Sequence, residues 1–498
     1  MKNPVFILIF LLAFILPILG DGGSPSNKPP ILQSLNPANF VIEREDQATF
    51  VALAKDPEND PLTYNFVLTR YGKEITQSGW NSNNIWICMP EYEGNYETEV
   101  FIKDGMHAGT TGYDESYDDK KAVTFKVINI GSFGSGDFIR EGDIQFEAGY
   151  LDLALMNYEK AIQLSPGYAA AWYGKGNVLA NMKKHTEALD CFSESIEIDP
   201  SNAAAWNNKG ATLVELRRYE EALQCYNNSI NKAANYAVPW SNKAEAFLFM
   251  GKYKDALTSS NKSLELDSSS AFSWGINGKA LAALGRYGDA LISLNKSIAI
   301  DSSNADIWIS KGNSLKKLGR NEDALMSYEK ATEIDPSKIE AWLGMGNAQI
   351  SLGQNENAIR IFDKVTSIVP TNSLALKGKA TAQANLGHHE KALESFGQAI
   401  NLTPSDAAAW KGKASAQNNL GQFESALQSY EKVLSLDPSD LIAQKGKAEI
   451  QNKLGKSSEA LASFEKVGNS DSTDASVWKG KGDAQLSLSK YKDALESY

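Results

Sequence analysis

The stretch from Asn304 to Pro336, NADIWISKGNSLKKLGRNEDALMSYEKATEIDP, decides the fold. Trp308, Gly312 and Leu315 recur at helical spacing and share one face, which predicts a first helix. Leu318-Gly319 ends it, with Gly taking the left-handed position after the last turn. A second helix carries Ala324, Tyr328 and Ala331 on one face. Asp335-Pro336 stops that helix, because the residue before Pro is pushed out of the helical region. The small Ala324 lets the two helices approach closely. One such hairpin cannot bury its apolar face alone, so stacked neighbours must supply the core.

The neighbours are written in the chain. Trp172, Trp206, Trp240, Trp274, Trp308 and Trp342 are 34 residues apart, and the ladder resumes at Trp410 and Trp478. Gly142, Gly176, Gly210, Gly278, Gly312, Gly346 and Gly482 keep the same step, as does an unbroken Ala series from Ala154 to Ala494. Pro166, Pro200, Pro336, Pro370, Pro404 and Pro438 close many of the units. A fixed period of this size means stacked supersecondary units rather than a globular enzyme core.

The unit resembles the tetratricopeptide repeat, whose pattern sets Trp, Leu-Gly, Tyr, Ala, an aromatic and Pro at fixed offsets. The match covers about ten and a half units without a register slip. The resemblance implies an all-α superhelical solenoid over residues 137–498, with ten full repeats and a truncated eleventh. Departures are systematic. Lys175, Lys209, Lys243 and Lys311 stand where the family has Leu, and Leu179, Leu213, Gln349 and Gln383 where it has Tyr. Leu376 and Gln444 replace the Trp of repeats eight and ten. The chain ends at Tyr498, partway through a second helix with no polar cap after it, as expected of a fragment or a truncated frame.

The 498 residues carry a net charge of −12 and a pI near 5.1. That balance disfavours nucleic acid, whose affinity comes largely from phosphate neutralisation by Lys and Arg. Three cysteines and four histidines are too few for a disulfide or metal framework. Cys191 and Cys225 occupy the same place in adjacent repeats, farther apart than a disulfide tolerates, and are expected to be free. Cys88 has no obvious partner.

Residues 1–20 hold one Lys and then the apolar run Val5–Leu19, the signature of an export signal or of an uncleaved N-terminal membrane anchor. Either places the remainder outside the cytoplasm, secreted, surface-located or anchored, and any membrane contact runs through this segment alone. Residues 21–30 read as a linker. Over 31–129, about seven short β-rich segments are separated by turn residues, which argues for an antiparallel β-sandwich. Glu93-Gly94-Asn95-Tyr96 resembles the tyrosine corner of immunoglobulin-like domains. The run Asp56-Pro57-Glu58-Asn59-Asp60-Pro61-Leu62-Thr63-Tyr64 resembles a turn of cadherin-like and PKD-like modules. Asp56, Glu58, Asp60 and Asp104 offer turn carboxylates of the kind calcium takes. Their oxygen-rich spacing is incomplete, and Asp favours turns on its own account, so no metal or cofactor is expected. Residues 130–136 read as a flexible hinge.

Catalysis finds no support. No HExxH, phosphate-cradling Gly loop or spaced Ser/His/Asp set is present, and His388-His389 falls in an interhelical loop. The tetratricopeptide resemblance implies instead a concave groove, lined by the first helix of each repeat, that binds protein or peptide. With Trp at repeat position four, position five turns toward that groove. Position five holds Tyr173, Asn207, Ser241, Gly275, Ile309 and Leu343, and position nine holds Asn177, Asn313 and Asn347. Tyr and Asn suit peptide recognition, although ordinary exposed helix residues would look the same.

Repeats eight to eleven each carry Lys-Gly-Lys, which puts Lys377, Lys411, Lys445 and Lys479 at position five. Such a ladder would attract an acidic segment. Local pairing is the competing account: Glu449 follows Lys445 by four and Asp483 follows Lys479, while Lys377 and Lys411 lack such an acid. The carboxylate-clamping set of chaperone-docking family members is absent, since Thr381 and Gly412 stand at two of its positions. Asn227, Asn261, Asn295 and Asn401 begin Asn-x-Ser/Thr sequons, which repeat consensus explains as well as glycosylation does. The expected function is that of an exported protein-interaction scaffold. The alternatives are a structural or adhesive envelope protein with the sandwich as binding module, and a carbohydrate-binding module using Trp80 and Trp86.

Overall fold

The computed structural model describes residues 31–36, 40–43, 48–55, 62–70, 73–78, 82, 85–88, 94–103, 119–128, 134–470 and 473–498. The chain divides at Arg140 into two compact units. The export segment, the linker, the calcium candidates Asp56, Glu58, Asp60 and Asp104, and Trp80 lie outside the described residues.

The first unit contains strands β1 (Ile31–Asn36), β2 (Phe40–Glu43), β3 (Ala48–Lys55), β4 (Thr63–Arg70), β5 (Lys73–Gln77), β6 (Ile85–Cys88), β7 (Gly94–Lys103) and β8 (Asp119–Ile128). They pair as a three-stranded sheet ordered β1-β3-β6 and a five-stranded sheet ordered β2-β8-β7-β4-β5. One pairing departs from an all-antiparallel arrangement: β2 runs parallel to β8. The chain leaves the first sheet after β1 and continues at the edge of the second, so a single N-terminal path borders both sheets. Tyr64, Phe66 and Leu68 alternate along β4 and are buried, and Ile102 and Val100 stand opposite the first two on β7. One face of this pair is therefore apolar and covered.

The second unit is helical. Its hairpins pair α1 (Ser135–Glu147) with α2 (Leu151–Leu164), α3 (Ala169–Asn181) with α4 (His185–Ile198), and α5 (Ala203–Glu215) with α6 (Tyr219–Lys232). Then come α7 (Val238–Phe249) with α8 (Tyr253–Leu266), α9 (Ala271–Ala283) with α10 (Tyr287–Ile300), and α11 (Ala305–Lys317) with α12 (Asn321–Ile334). After these follow α13 (Ile339–Ser351) with α14 (Asn355–Ile368), α15 (Ser373–Asn385) with α16 (His389–Leu402), and α17 (Ala407–Asn419) with α18 (Phe423–Leu436). The last are α19 (Leu441–Lys453) with α20 (Ser457–Ser470), and α21 (Ala475–Ser487) with α22 (Tyr491–Ser497). Helix α1 begins two residues inside the expected hinge, because the Asp137 carboxylate accepts the Gly134 N–H and fixes the first turn.

Each hairpin is built from local rules. Asn202, Ser270, Asn304, Asn372, Asp406, Asp440 and Asp474 cap first helices by accepting a backbone N–H. The turn to the second helix passes through the left-handed region, where eight glycines sit at φ 70–81° and Lys183, Arg217 and Ser489 take the same conformation.

The Trp ladder ties repeat to repeat. Six of its indoles donate to the carbonyl six residues earlier, at 2.8–3.2 Å. Gln444, which replaces Trp, donates its amide to Pro438 O at 2.6 Å and keeps the same tie. Trp240 differs: Ala234 stands six residues before it, and its buried indole N–H has no partner among the described residues.

At Tyr158, Tyr328 and Phe362 the core between hairpins is an aromatic held by two glycines. Phe362 is fully buried; a Cβ at Gly346 of its own repeat would come within 2.7 Å of the ring, and one at Gly378 of the next repeat would overlap it. Gly344, Gly412, Gly446 and Gly480 stand in the same relation to Tyr328, Phe396, Tyr430 and Phe464. The middle residue of each Lys-Gly-Lys is thus set by packing.

Candidate functional site

Through repeats three to six, stacking turns position five of the first helices toward the next repeat rather than toward open solvent. Asn207, Ser241 and Ile309 are 3% exposed. Asn207 Oδ1 accepts from Asn242 Nδ2 at 3.0 Å, Ile309 packs with Ala341 of the next first helix, and a Cβ on Gly275 would meet Ile307. The expectation that this position lines a free groove therefore fails through the middle repeats. The angle between stacked hairpins, which no single helix encodes, aims it at a neighbour.

Of the predicted amide and phenol ligands, most are already bonded. Asn208 Nδ2 donates to Asn177 Oδ1 at 2.8 Å and to the Tyr173 hydroxyl at 3.1 Å, and Asn207 donates to Asn208 Oδ1 at 3.0 Å. Asn313 accepts the Tyr328 hydroxyl proton at 2.6 Å and donates to Glu340 at 3.1 Å. Asn347 differs: its side chain has no hydrogen-bond partner among the described residues and is half-buried.

The lysine ladder is also largely occupied. Lys377 Nζ donates to Asp406 Oδ2 at 2.6 Å, Lys411 to Asp440 at 2.6 Å, and Lys445 to Asp474 at 2.7 Å. Each aspartate caps the next repeat's first helix with its other oxygen. The partners are thus acids 29 residues on, not Glu449 or Asp483. One carboxylate caps a helix and clasps the preceding repeat at once. Burial works against the Asp406 and Asp440 carboxylates, yet the lysine and cap N–H bonds outweigh it and hold both below the ordinary range. The Asp474 carboxyl is lowered first by Lys445, then by Ser476. Lys479 has no such partner among the described residues. The second lysines pair with acids of the preceding repeat, Lys379 with Asp363 at 2.7 Å and Lys447 with Glu431 at 3.0 Å, while Lys413 lies over the Trp410 ring.

The first helices of repeats six to nine border an open cleft of about 670 Å³. Leu343, Ile350 and Leu374 give it apolar walls, and Lys316, Asn347 and Lys377 its polar groups. Asn347 and Lys377 were legible in the sequence; Lys316, Ile350 and Leu374, at positions twelve and two, were not. For Leu374 the mark is exposure of an apolar side chain on a helix otherwise packed, at 54%.

Cys191 and Cys225 are free and buried, and burial pushes each thiol up to about 11, which keeps them protonated at neutral pH. In the sequons, Asn227, Asn261 and Asn295 are exposed, but Ser229, Ser263 and Ser297 are buried and donate to Ala203, Ala237 and Ala271 carbonyls. Ser195 makes the same bond without a sequon, so packing accounts for the serine. Among the described residues no helix is long and apolar enough to cross a membrane.

Sequence models described as tetratricopeptide repeat match residues 169–202, 191–224, 339–372, 378–406 and 407–440, and one described as TPR repeat matches 142–183 and 312–353. No curated protein matches the chain in sequence. Among solved structures, yeast Tom70 is 14% identical over 72% of this chain and 96% of its own, at a TM-score of 0.38. The Cut9 and Hcn1 hetero-tetramer of APC/C is 14% identical over 74% and 86%, at 0.40. YrrB, described as a TPR protein with an unusual peptide-binding site, is 22% identical over 37% and 95%, at 0.31. Scores this low decide nothing about function. The family matches and the 34-residue hairpin geometry agree: the helical unit is an all-α solenoid of tetratricopeptide repeats.

Proposed function

We propose that this chain is an exported protein-interaction scaffold whose solenoid takes an extended segment of a partner protein in the cleft bordered by α11, α13, α15 and α17. The observation that carries it is the combination at Asn347. A half-buried amide with two donors and an acceptor stands unused beside the exposed Leu374, while the other polar candidates of positions five and nine are bonded internally up to repeat ten. An amide of this kind can hold an extended backbone, and apolar walls can take its side chains. Export rests on residues 1–20, and its check is an N-terminal sequence of the mature protein from the cell envelope.

We also infer that residues 31–129 form an immunoglobulin-like sandwich. The covered apolar face of β4 and β7 needs a second layer, and the three-stranded sheet is the chain's own candidate for it. The groove is tested by placing a photo-crosslinking residue at Leu374 and, in a second variant, at the exposed Ile292 of α10. A partner peptide captured from Leu374 and not from Ile292 supports the groove; equal capture from both removes it.

A further inference from the structure

The charges around the cleft are nearly all paired within the protein. Lys377 is clasped by Asp406, Asp306 by Lys338 at 2.7 Å, and Glu340 accepts the Asn313 amide. Lys316 is left over. It lines the cleft from the last turn of α11, is half-buried, and its side chain has no ion-pair or hydrogen-bond partner among the described residues. Its neighbour on the same helix is Lys317, a like charge, and burial followed by that repulsion pulls the Lys316 ammonium below its ordinary value. The helix dipole favours lysine in a last turn, which suits the exposed Lys317. It does not account for a second cation lining a cleft with Leu343, Ile350 and Leu374. A partly desolvated cation without a counter-charge is costly, and an arriving carboxylate recovers that cost through a charge-assisted bond.

We propose that the cleft selects partner segments carrying a carboxylate and an apolar side chain about five or six residues apart, the carboxylate meeting Lys316 and the apolar group meeting Leu374; this rests on the groove function above. The spacing follows from the helices. Lys316 lies on α11 and Leu374 on α15, two first helices on. Packed helices stand about 8–10 Å apart, so the span is about 16–20 Å, and an extended chain covers about 3.3 Å per residue. Asn347, on the intervening α13, is placed to hold the backbone between the two anchors. The acidic preference thus shifts from the lysine ladder, whose charges are spent on clasps, to one unpaired side chain beside it.

The test is fluorescence anisotropy on the full chain with a labelled Ser/Gly peptide bearing one Asp and, about six residues on, one Leu, beside a twin with Asn for Asp. The Asp probe is expected to bind about tenfold more tightly at low salt, and the advantage to shrink in high salt. Lys316→Met should erase the preference, so that the Asp and Asn probes bind alike, while Lys316→Arg keeps it. Leu374→Asp should weaken both probes. A preference that survives Lys316→Met, equal binding of the twins, or no binding of either overturns the acidic selection. In those cases crosslinking confined to Leu374 still upholds the groove itself. Binding indifferent to Leu374→Asp removes groove and selection together.

Discussion

Repeats two to four and repeats eight to eleven share one backbone design and join their units with different chemistry. In the earlier set, neutral groups bridge neighbouring first helices: Asn208 to Tyr173 and Asn177, Asn242 to Asn207. In the later set the bridge is Lys to Asp, made three times in succession. The interior of the hairpin changes too. Leu179 and Leu213 share their packing clusters with Cys191 and Cys225, whereas Gln383, Gln417, Gln451 and Gln485 each accept a serine hydroxyl from the second helix. At the Leu/Gln position the solenoid therefore keeps the volume and leaves the polarity open, provided that the facing residue changes with it. Repeat seven is the seam. It has the glutamine, Gln349, but Ile361 where later repeats have Ser, and the buried Gln349 Oε1 has no partner among the described residues.

The largest effect is expected where the later repeats have no room. Gly412→Ala would drive a Cβ into the Phe396 ring, whose repeat is packed on both sides, and should cost about 1–3 kcal/mol despite alanine's better helix propensity. Asn208→Ala at the equivalent earlier position loses hydrogen bonds without overlap and should cost about 1 kcal/mol. Thermal unfolding of the two variants compares them directly, and equal losses would erase the distinction between the sets.

The clasps should make the later repeats acid-sensitive. Asp406, Asp440 and Asp474 are lowered in the folded state, so their contribution is fully present above the unfolded carboxylate value of about 3.9. It is lost as pH falls through their folded values. Hydrogen exchange read repeat by repeat should be even from neutral pH down to about 5, then rise first in residues 373–470. Asp440→Asn keeps a cap but loses the ion pair, and should cost about 1 kcal/mol near neutral pH and little in strong acid.

The seam offers a gain. Gln349→Leu restores the pairing of the earlier repeats, with Leu facing an apolar partner, and should stabilise the chain by about 1 kcal/mol. A loss of that size would mean that the Gln349 amide serves some partner of its own. The smallest effect is at the turn: Arg217→Gly relieves a left-handed backbone at φ 58° and should add about 0.5–1 kcal/mol, with no counterpart at Gly387 or Gly421, where Gly is already in place. Denaturant midpoints resolve both changes.

Much of the clasp chemistry could have been read from the chain. Lysine stands at position five of a full repeat only when aspartate stands 29 residues on: Lys377 with Asp406, Lys411 with Asp440, Lys445 with Asp474. Where position five is Tyr173 or Leu343, the later residue is Asn202 or Asn372. The acids one helical turn away do not carry this signal, because the relevant neighbour lies in the next hairpin. The glycine of Lys-Gly-Lys carried a similar signal in the aromatic 16 residues before it, as in Phe362 and Gly378.

By itself the sequence determined the hairpins, their caps and turns, and the residues that form the core, since these follow from helical periodicity and backbone preferences that act within a few residues. Only the tertiary structure decided what position five faces. The angle at which one hairpin stacks on the next buries Asn207, clasps Lys411 to Asp440, and leaves Lys316 and Asn347 unpaired beside an apolar cleft. That angle is the summed outcome of aromatic–glycine contacts between repeats, a property of neighbours rather than of any one helix.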